Sequence, residues 1–288
     1  MQFHWRSHSN RNTPSSVTHE LSLLESFFKE LVSRFAYVSF VPGNHDLWIA
    51  KSDKVDNSIS KLHDIIALCE RCGVGTQPRL LTSTVDGVQK HVWIIPLYSW
   101  YHEDFDDDVS TKGEKIEYWS DFSMCVWPES VLNAEEASPS CPTGTPELYM
   151  LGLNDERVER QYFDGLDVNH TTIITFSHFL PRRECLPPKS VLWIKYLPKV
   201  VGTTRLDEQI RKIGSNIHVF GHTHILWNKM LDGIQYVQMC LKYPRERQNH
   251  PQYSLKSIHE MKVYDDKLSQ ANMYEVMREQ SEARKSQV

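Results

Sequence analysis

Three short segments carry the residues of this chain best suited to chemistry. They are Phe40-Val41-Pro42-Gly43-Asn44-His45-Asp46, Ile173-Ile174-Thr175-Phe176-Ser177-His178 and Val219-Phe220-Gly221-His222-Thr223-His224. Each is an apolar run, then a small residue or turn, then histidine. Loops beyond the carboxyl ends of parallel strands open on one crevice, so three such loops would gather their imidazoles there. Neutral imidazole ligates zinc, iron, nickel and copper, and manganese accepts mixed nitrogen and oxygen shells. Singly, each segment has a plainer reading. A histidine at a strand end is more often hydrogen-bonded within the core, and Asn-His-Asp after Pro-Gly can be only a turn. Their joint occurrence, in order and each after an apolar run, favours a ligand cluster. Gly43 and Gly221 are expected to let the backbone turn sharply and a ligand approach closely. His222 and His224, two apart, could face neighbouring metals.

Other residues invite weaker readings. Trp100, Tyr101 and His102 follow an expected strand end and could line a substrate cleft. Arg182 and Arg183, close after His178, could grip a phosphate bidentately, a reading balanced against ordinary surface arginines. Asp104, Asp106, Asp107 and Asp108 form an acidic run beside His102, which reads as a solvated loop rather than a metal site. Cys69 and Cys72 make a lone C-x-x-C without a second pair, so two thiols near a helix end are expected instead of zinc.

Strands and helices alternate in the pattern that must position these groups. Helical apolar spacing begins at Thr18 with Leu21, Leu24, Phe27, Phe28 and Leu31. Residues 36–41 read as a short buried strand stopped by Pro42-Gly43. A helix is expected over 58–71, ended by Gly73. Residues 80–85 and 91–97 read as strands of a hairpin turning at Asp86-Gly87. Residues 98–145 read as a long insertion of little periodicity, functional or mobile in character. A helix near 154–163, a strand over 171–176, an irregular lid-like loop over 181–189 and a helix over 206–213 follow. Strands over 217–220, 234–239 and 261–264 complete the pattern, before a charged, helix-prone tail. The alternation predicts α/β layers.

Composition fits this picture. The 288 residues are 40% hydrophobic and 24% charged, ordinary for a globular protein of one large domain or two small ones. A net charge of −5 gives no general attraction to nucleic acid or acidic membranes, although Lys242, Arg245 and Arg247 form a small basic cluster. No apolar leader or run long enough to span a bilayer is read. The six scattered cysteines read as reduced thiols in the cytoplasm.

Gly43-Asn44-His45-Asp46, Ser177-His178 and Gly221-His222-Thr223-His224 together resemble the motifs of the calcineurin-like metallophosphoesterase superfamily, over roughly residues 20–264. The resemblance implies a four-layer αββα sandwich, with two sheets face to face, and two adjacent metal ions, commonly manganese, iron or zinc. It assigns Asn44, His178 and His222 to one metal and His224 to the other. His45 would donate a proton to the leaving-group oxygen or stabilise its charge. The metals would polarise the phosphate and acidify water. By the same resemblance, 18–265 is the phosphoesterase domain, with an insertion at about 98–150, and 266–288 is the tail.

Two motifs of that superfamily, Asp-x-His and Gly-Asp-x-x-Asp, are not read before Gly43. Residues 1–19 hold His4, His8 and His19 but no aspartate. The expectation is a domain lacking its first strands, as from a truncated gene model, with at most one metal held tightly and weakened catalysis. A phosphate-ester hydrolase is the leading function. A non-catalytic binding or scaffold module of the same fold is the alternative, and a nuclease the third reading, disfavoured by the net charge.

Overall fold

The computed structural model describes residues 21–108, 116, 118–132, 145–158, 167 and 169–240. The expected strand over 261–264, the tail, the basic cluster at 242–247 and the first residues of the N-terminal helix lie outside them. Among the described residues is a mixed α/β arrangement around a six-stranded sheet of order β1-β2-β3-β4-β6-β5.

The outer hairpin follows from its turn. β1 (Arg79–Val85) and β2 (Val88–Pro96) pair antiparallel, joined by Asp86 and Gly87 at φ 51° and 79°. Left-handed backbone at both turn residues matches the twist of the flanking strands, which is why Asp-Gly marks such hairpins. β2, β3 (Thr171–Phe176), β4 (Ile217–Phe220) and β6 (Ile234–Gln238) are mutually parallel, and the last three are buried at every residue. Burial on both faces explains the continuous apolar and β-branched run of β3. β5 (Trp227–Leu231) closes the opposite edge, antiparallel to β6. Its turn, Asp232-Gly233, again has positive φ at both residues; this second hairpin went unread in the sequence despite the same Asp-Gly signal.

Among the expected helix ends, the stop at Gly73 falls where the sequence places it. α1 (Leu21–Arg34) buries Leu24 and Phe28 in the shared core. α2 (Ser58–Cys72) begins where the Asn57 side chain accepts from the Ser60 amide at 2.8 Å and ends at Gly73. The two short helices α3 (Ser120–Met124) and α4 (Glu129–Leu132) lie within the expected insertion. α5 spans Pro146–Arg157, earlier than the predicted helix, because Thr145 caps it with Pro146 in its first turn. α6 spans Thr204–Ile213.

Two expectations need correction. Residues 36–41 form no strand of the sheet; they make an isolated parallel bridge, Ser39 to Gly75, with Phe40 N donating to Gly75 O at 2.9 Å. Pro42, which has no N–H to donate, ends the pairing at once. The insertion, in turn, is not uniformly irregular. Tyr98, Ser99, Trp100, Tyr101 and Phe105 are buried, and Trp100 packs against Trp127 and Phe179 with ring centroids 4.8 and 5.2 Å away. Trp100 and Tyr101 therefore build core instead of lining an open cleft.

Cys69, Cys72, Cys125 and Cys185 are free thiols, and burial pushes those of Cys69, Cys125 and Cys185 up. No helix among the described residues is long and apolar enough to cross a membrane.

Candidate active site

Because β2, β3, β4 and β6 run parallel, their carboxyl-terminal loops emerge at one rim. The β3 and β4 loops are stitched together there: Ser177 N donates to Val219 O at 2.9 Å and Gly221 N to His178 O at 3.0 Å. Beneath them His218 is fully buried, its ring nitrogens 2.8 Å from Thr175 Oγ1 and 3.0 Å from Ser177 Oγ. The loop carrying Asn44 reaches the same rim from outside the sheet. It turns through a 3-10 segment, His45–Leu47, while the Gly43 amide donates to Asp46 Oδ2 at 2.6 Å. The buried Lys61 ammonium then ties the following residues, donating to Asp53 Oδ2 at 2.7 Å and to the Trp48 carbonyl.

Gly43 is required by proximity. A Cβ there would sit 2.5 Å from both Cε1 and Nδ1 of His178, closer than any side chain tolerates. The sharp turn expected at Gly221 is made with left-handed backbone at the histidines that follow it. His222 and His224 have φ of 69° and 57°, a conformation uncommon for non-glycine residues although histidine adopts it more readily than most. Such outliers concentrate where a loop is held for function.

Three atoms converge. His178 Nε2 lies 2.9 Å from Asn44 Oδ1 and 3.0 Å from His222 Nδ1. Phe179 walls the pair, its ring centroid 4.7 Å from that of His178 and 4.6 Å from that of His222. Burial, reinforced by His222, His45 and His224, holds the His178 imidazole well below its ordinary pKa. Burial and then His224 and His45 push His222 down to about 3, against an opposing hydrogen bond with the Val200 backbone. Both rings are therefore neutral near pH 7, the form that ligates metals. His45 and His224 lie within electrostatic reach of both. His224 is buried, and His45 stacks on Trp48 at a centroid distance of 3.9 Å.

Two imidazole nitrogens and an amide oxygen suit a divalent metal. Ligands about 2.1 Å from a common ion lie roughly 3.0 Å apart at right angles and roughly 3.4 Å apart in a tetrahedron. The observed 2.9 and 3.0 Å fit the right-angled case. Among the described residues no group of three or more His, Cys, Asp or Glu is arranged to hold a metal, so the convergent set depends on its amide oxygen.

A residue absent from the sequence reading completes the site. Asp121, on α3, is buried and accepts from Asn44 Nδ2 at 2.8 Å and Trp48 Nε1 at 2.6 Å on one oxygen, and from Trp119 Nε1 at 2.8 Å on the other. Burial raises its pKa, while hydrogen bonds from Asn44, Trp48, Trp119 and Tyr101 oppose the rise. Its only sequence signal was a tryptophan-rich neighbourhood in a segment read as a loop.

The candidate substrate contacts are used elsewhere. Arg182 pairs with Glu184 at 2.5 Å and Asp232 at 2.6 Å. Arg183 pairs with Asp107 at 2.5 Å, and Lys189 with Asp106 at 2.9 Å and Asp108 at 3.1 Å. The acidic run is thus not simply solvated; the Asp106 side chain is fully buried. His102 caps its own turn, accepting from the Asp104 amide at 3.3 Å. None of these three candidates contributes to the histidine cluster through these contacts.

No family model matches the chain. In sequence it is 26% identical over 231 residues to the acyl-carrier-protein phosphodiesterase PptH of Mycobacterium tuberculosis (strain ATCC 25618 / H37Rv), covering 77% of this chain. The match spans 65% of that relative, slightly under two thirds of its length. The crystal structure of phosphopantetheinyl hydrolase (PptH) from Mycobacterium tuberculosis superposes with a TM-score of 0.59 at 21% identity, over 82% of this chain and 80% of that one. The chain thus has the mixed α/β fold of that solved hydrolase and is similar in sequence to a phosphodiesterase.

Proposed function

We propose that this chain is a metal-dependent phosphoesterase acting on a phosphodiester, with Asn44, His178 and His222 as the ligands of one divalent metal. The convergence of Asn44 Oδ1, His178 Nε2 and His222 Nδ1 carries this reading, and similarity to a phosphodiesterase supports it. A calcineurin-like αββα sandwich is the finer fold that the motifs favour. Manganese, iron or zinc are the candidate ions, with His224 the candidate ligand of a second.

The metal, when bound, supplies Lewis-acid polarisation of the phosphate and lowers the pKa of water. The chain's own groups do the rest. His178 and His222 offer lone pairs because their surroundings keep them neutral. Phe179 and Trp119 flank the His222 ring and restrict water around it. His45, partly exposed on its Trp48 platform, protonates the leaving oxygen. By analogy with the relative's name, the substrate is the phosphodiester joining phosphopantetheine to a carrier protein, met in the cytoplasm.

One observation favours a non-catalytic binding module instead: among the described residues no group of three or more His, Cys, Asp or Glu is arranged to hold a metal. Turnover separates the two. Mass spectrometry of a phosphopantetheine-loaded carrier protein incubated with the purified chain and manganese should show loss of the phosphopantetheine arm. A chelator and His178→Ala should each abolish it. Manganese binding without any phosphodiester hydrolysis would leave the binding module as the answer; hydrolysis indifferent to both treatments would remove the metal reading.

A further inference from the structure

The asparagine side chain has two nearly isosteric ends, a carbonyl oxygen that can ligate a cation and an amide nitrogen that can only donate. Which end faces His178 decides whether Asn44 helps to hold a metal or excludes it. Asp121 resolves this ambiguity. Its two oxygens face the Asn44 amide nitrogen and the indole nitrogens of Trp48 and Trp119. Indole N–H groups only donate, and an ionised carboxylate only accepts. With both indoles committed to it, the carboxylate draws the Nδ2 end of Asn44 and turns Oδ1 toward His178 Nε2, 2.9 Å away. The same carboxylate fixes Trp48, on which His45 stacks.

We propose that Asp121 is a positioning residue that orients the Asn44 amide and the Trp48 platform of His45, so that the segment inserted after β2 is part of the site. The claim rests on the metal reading only for its consequence: a correctly turned Asn44 oxygen. A buried carboxylate with indole and amide donors is also costly to bury without all its partners, which ties α3 to the Asn44 loop 77 residues earlier in the chain.

Two measurements test this on the whole chain. In the metal-free wild type, NMR should find the Asn44 side-chain amide protons and the Trp48 indole proton slow to exchange with solvent. Rapid exchange of both would overturn the orienting contact without need of any variant. In calorimetric titrations with manganese, Asp121→Asn should weaken binding about 10–100-fold, as loss of a partner to a metal ligand typically does. Asp121→Glu should recover part of it. In a double-mutant cycle, Asn44→Ala with Asp121→Asn should bind no more weakly than Asn44→Ala alone, because both changes act on one ligand. Multiplicative losses would reduce Asp121 to a fold-stabilising residue. Wild type that takes up no manganese, yet keeps the protected Asn44 amide, would remove the metal reading and leave the orienting role standing.

Discussion

Two clusters of polar residues in the loops of the sheet solve opposite problems. Around His178, neutral groups face one another with lone pairs in excess of the protons between them, and the nearby carboxylate of Asp121 is taken up by four donors. Around Arg182 and Arg183, full charges of opposite sign are paired: guanidinium to Glu184, Asp232 and Asp107, and the Lys189 ammonium to Asp106 and Asp108. The first arrangement has unspent ligand capacity, which makes it a candidate site. The second is internally satisfied, so it braces the loop after β3 against the loop after β2. Charged residues near a candidate phosphoesterase site are not for that reason phosphate ligands; what matters is whether their partners are already in place.

Removing the proposed proton donor should do most to sharpen this contrast. His45→Ala is expected to lower phosphodiester turnover by about 10²–10⁴-fold, with manganese affinity nearly unchanged. An equal fall in both would make His45 part of the metal site. Gly43→Ala attacks the same rim through packing. Its Cβ would meet the His178 ring at 2.5 Å, and overpacking of this kind typically costs about 1–3 kcal/mol. Thermal stability and manganese uptake should fall together, and a crystal structure of the variant with His178 unmoved would refute the close-contact argument.

Acid should weaken the histidine rim next. His218 is pushed down to about 3 by burial, so the unfolded chain takes up a proton at a pH where the folded chain does not. Its contribution to stability is complete above about pH 6.5 and is lost as pH falls toward 3, by up to about 1.4 kcal/mol per pH unit. Urea midpoints of metal-free protein at pH 7 and pH 5 measure this, and His218→Gln should reduce the dependence, the remainder coming from the buried His178 and His222. A wild-type midpoint independent of pH would show that His218 is protonated when folded. The smallest effect is expected at the arginines. Arg183→Ala should cost about 0–1 kcal/mol, as partly exposed pairs do, and leave KM within about threefold. A KM rise of tenfold or more would return Arg183 to the substrate.

The sequence by itself determined the elements whose causes are local. The Asp86-Gly87 hairpin, the α2 ending at Gly73 and the buried strands 171–176 and 217–220 were legible because turn chemistry and apolar runs act over a few residues. Asn44, His178 and His222 stood out as candidate ligands, since each comes just after an apolar run and a small residue or turn. The left-handed backbone of His222 and His224 and the true boundaries of α5 were not legible. The tertiary structure alone decided which charges were already paired and that residues 36–41 stay out of the sheet. It alone brought Asp121 to Asn44 across 77 residues. The physical reason is separation along the chain: a hydrogen bond between distant segments leaves no period or spacing behind, and its partners are named only when packing brings a buried acceptor to the donors that require it.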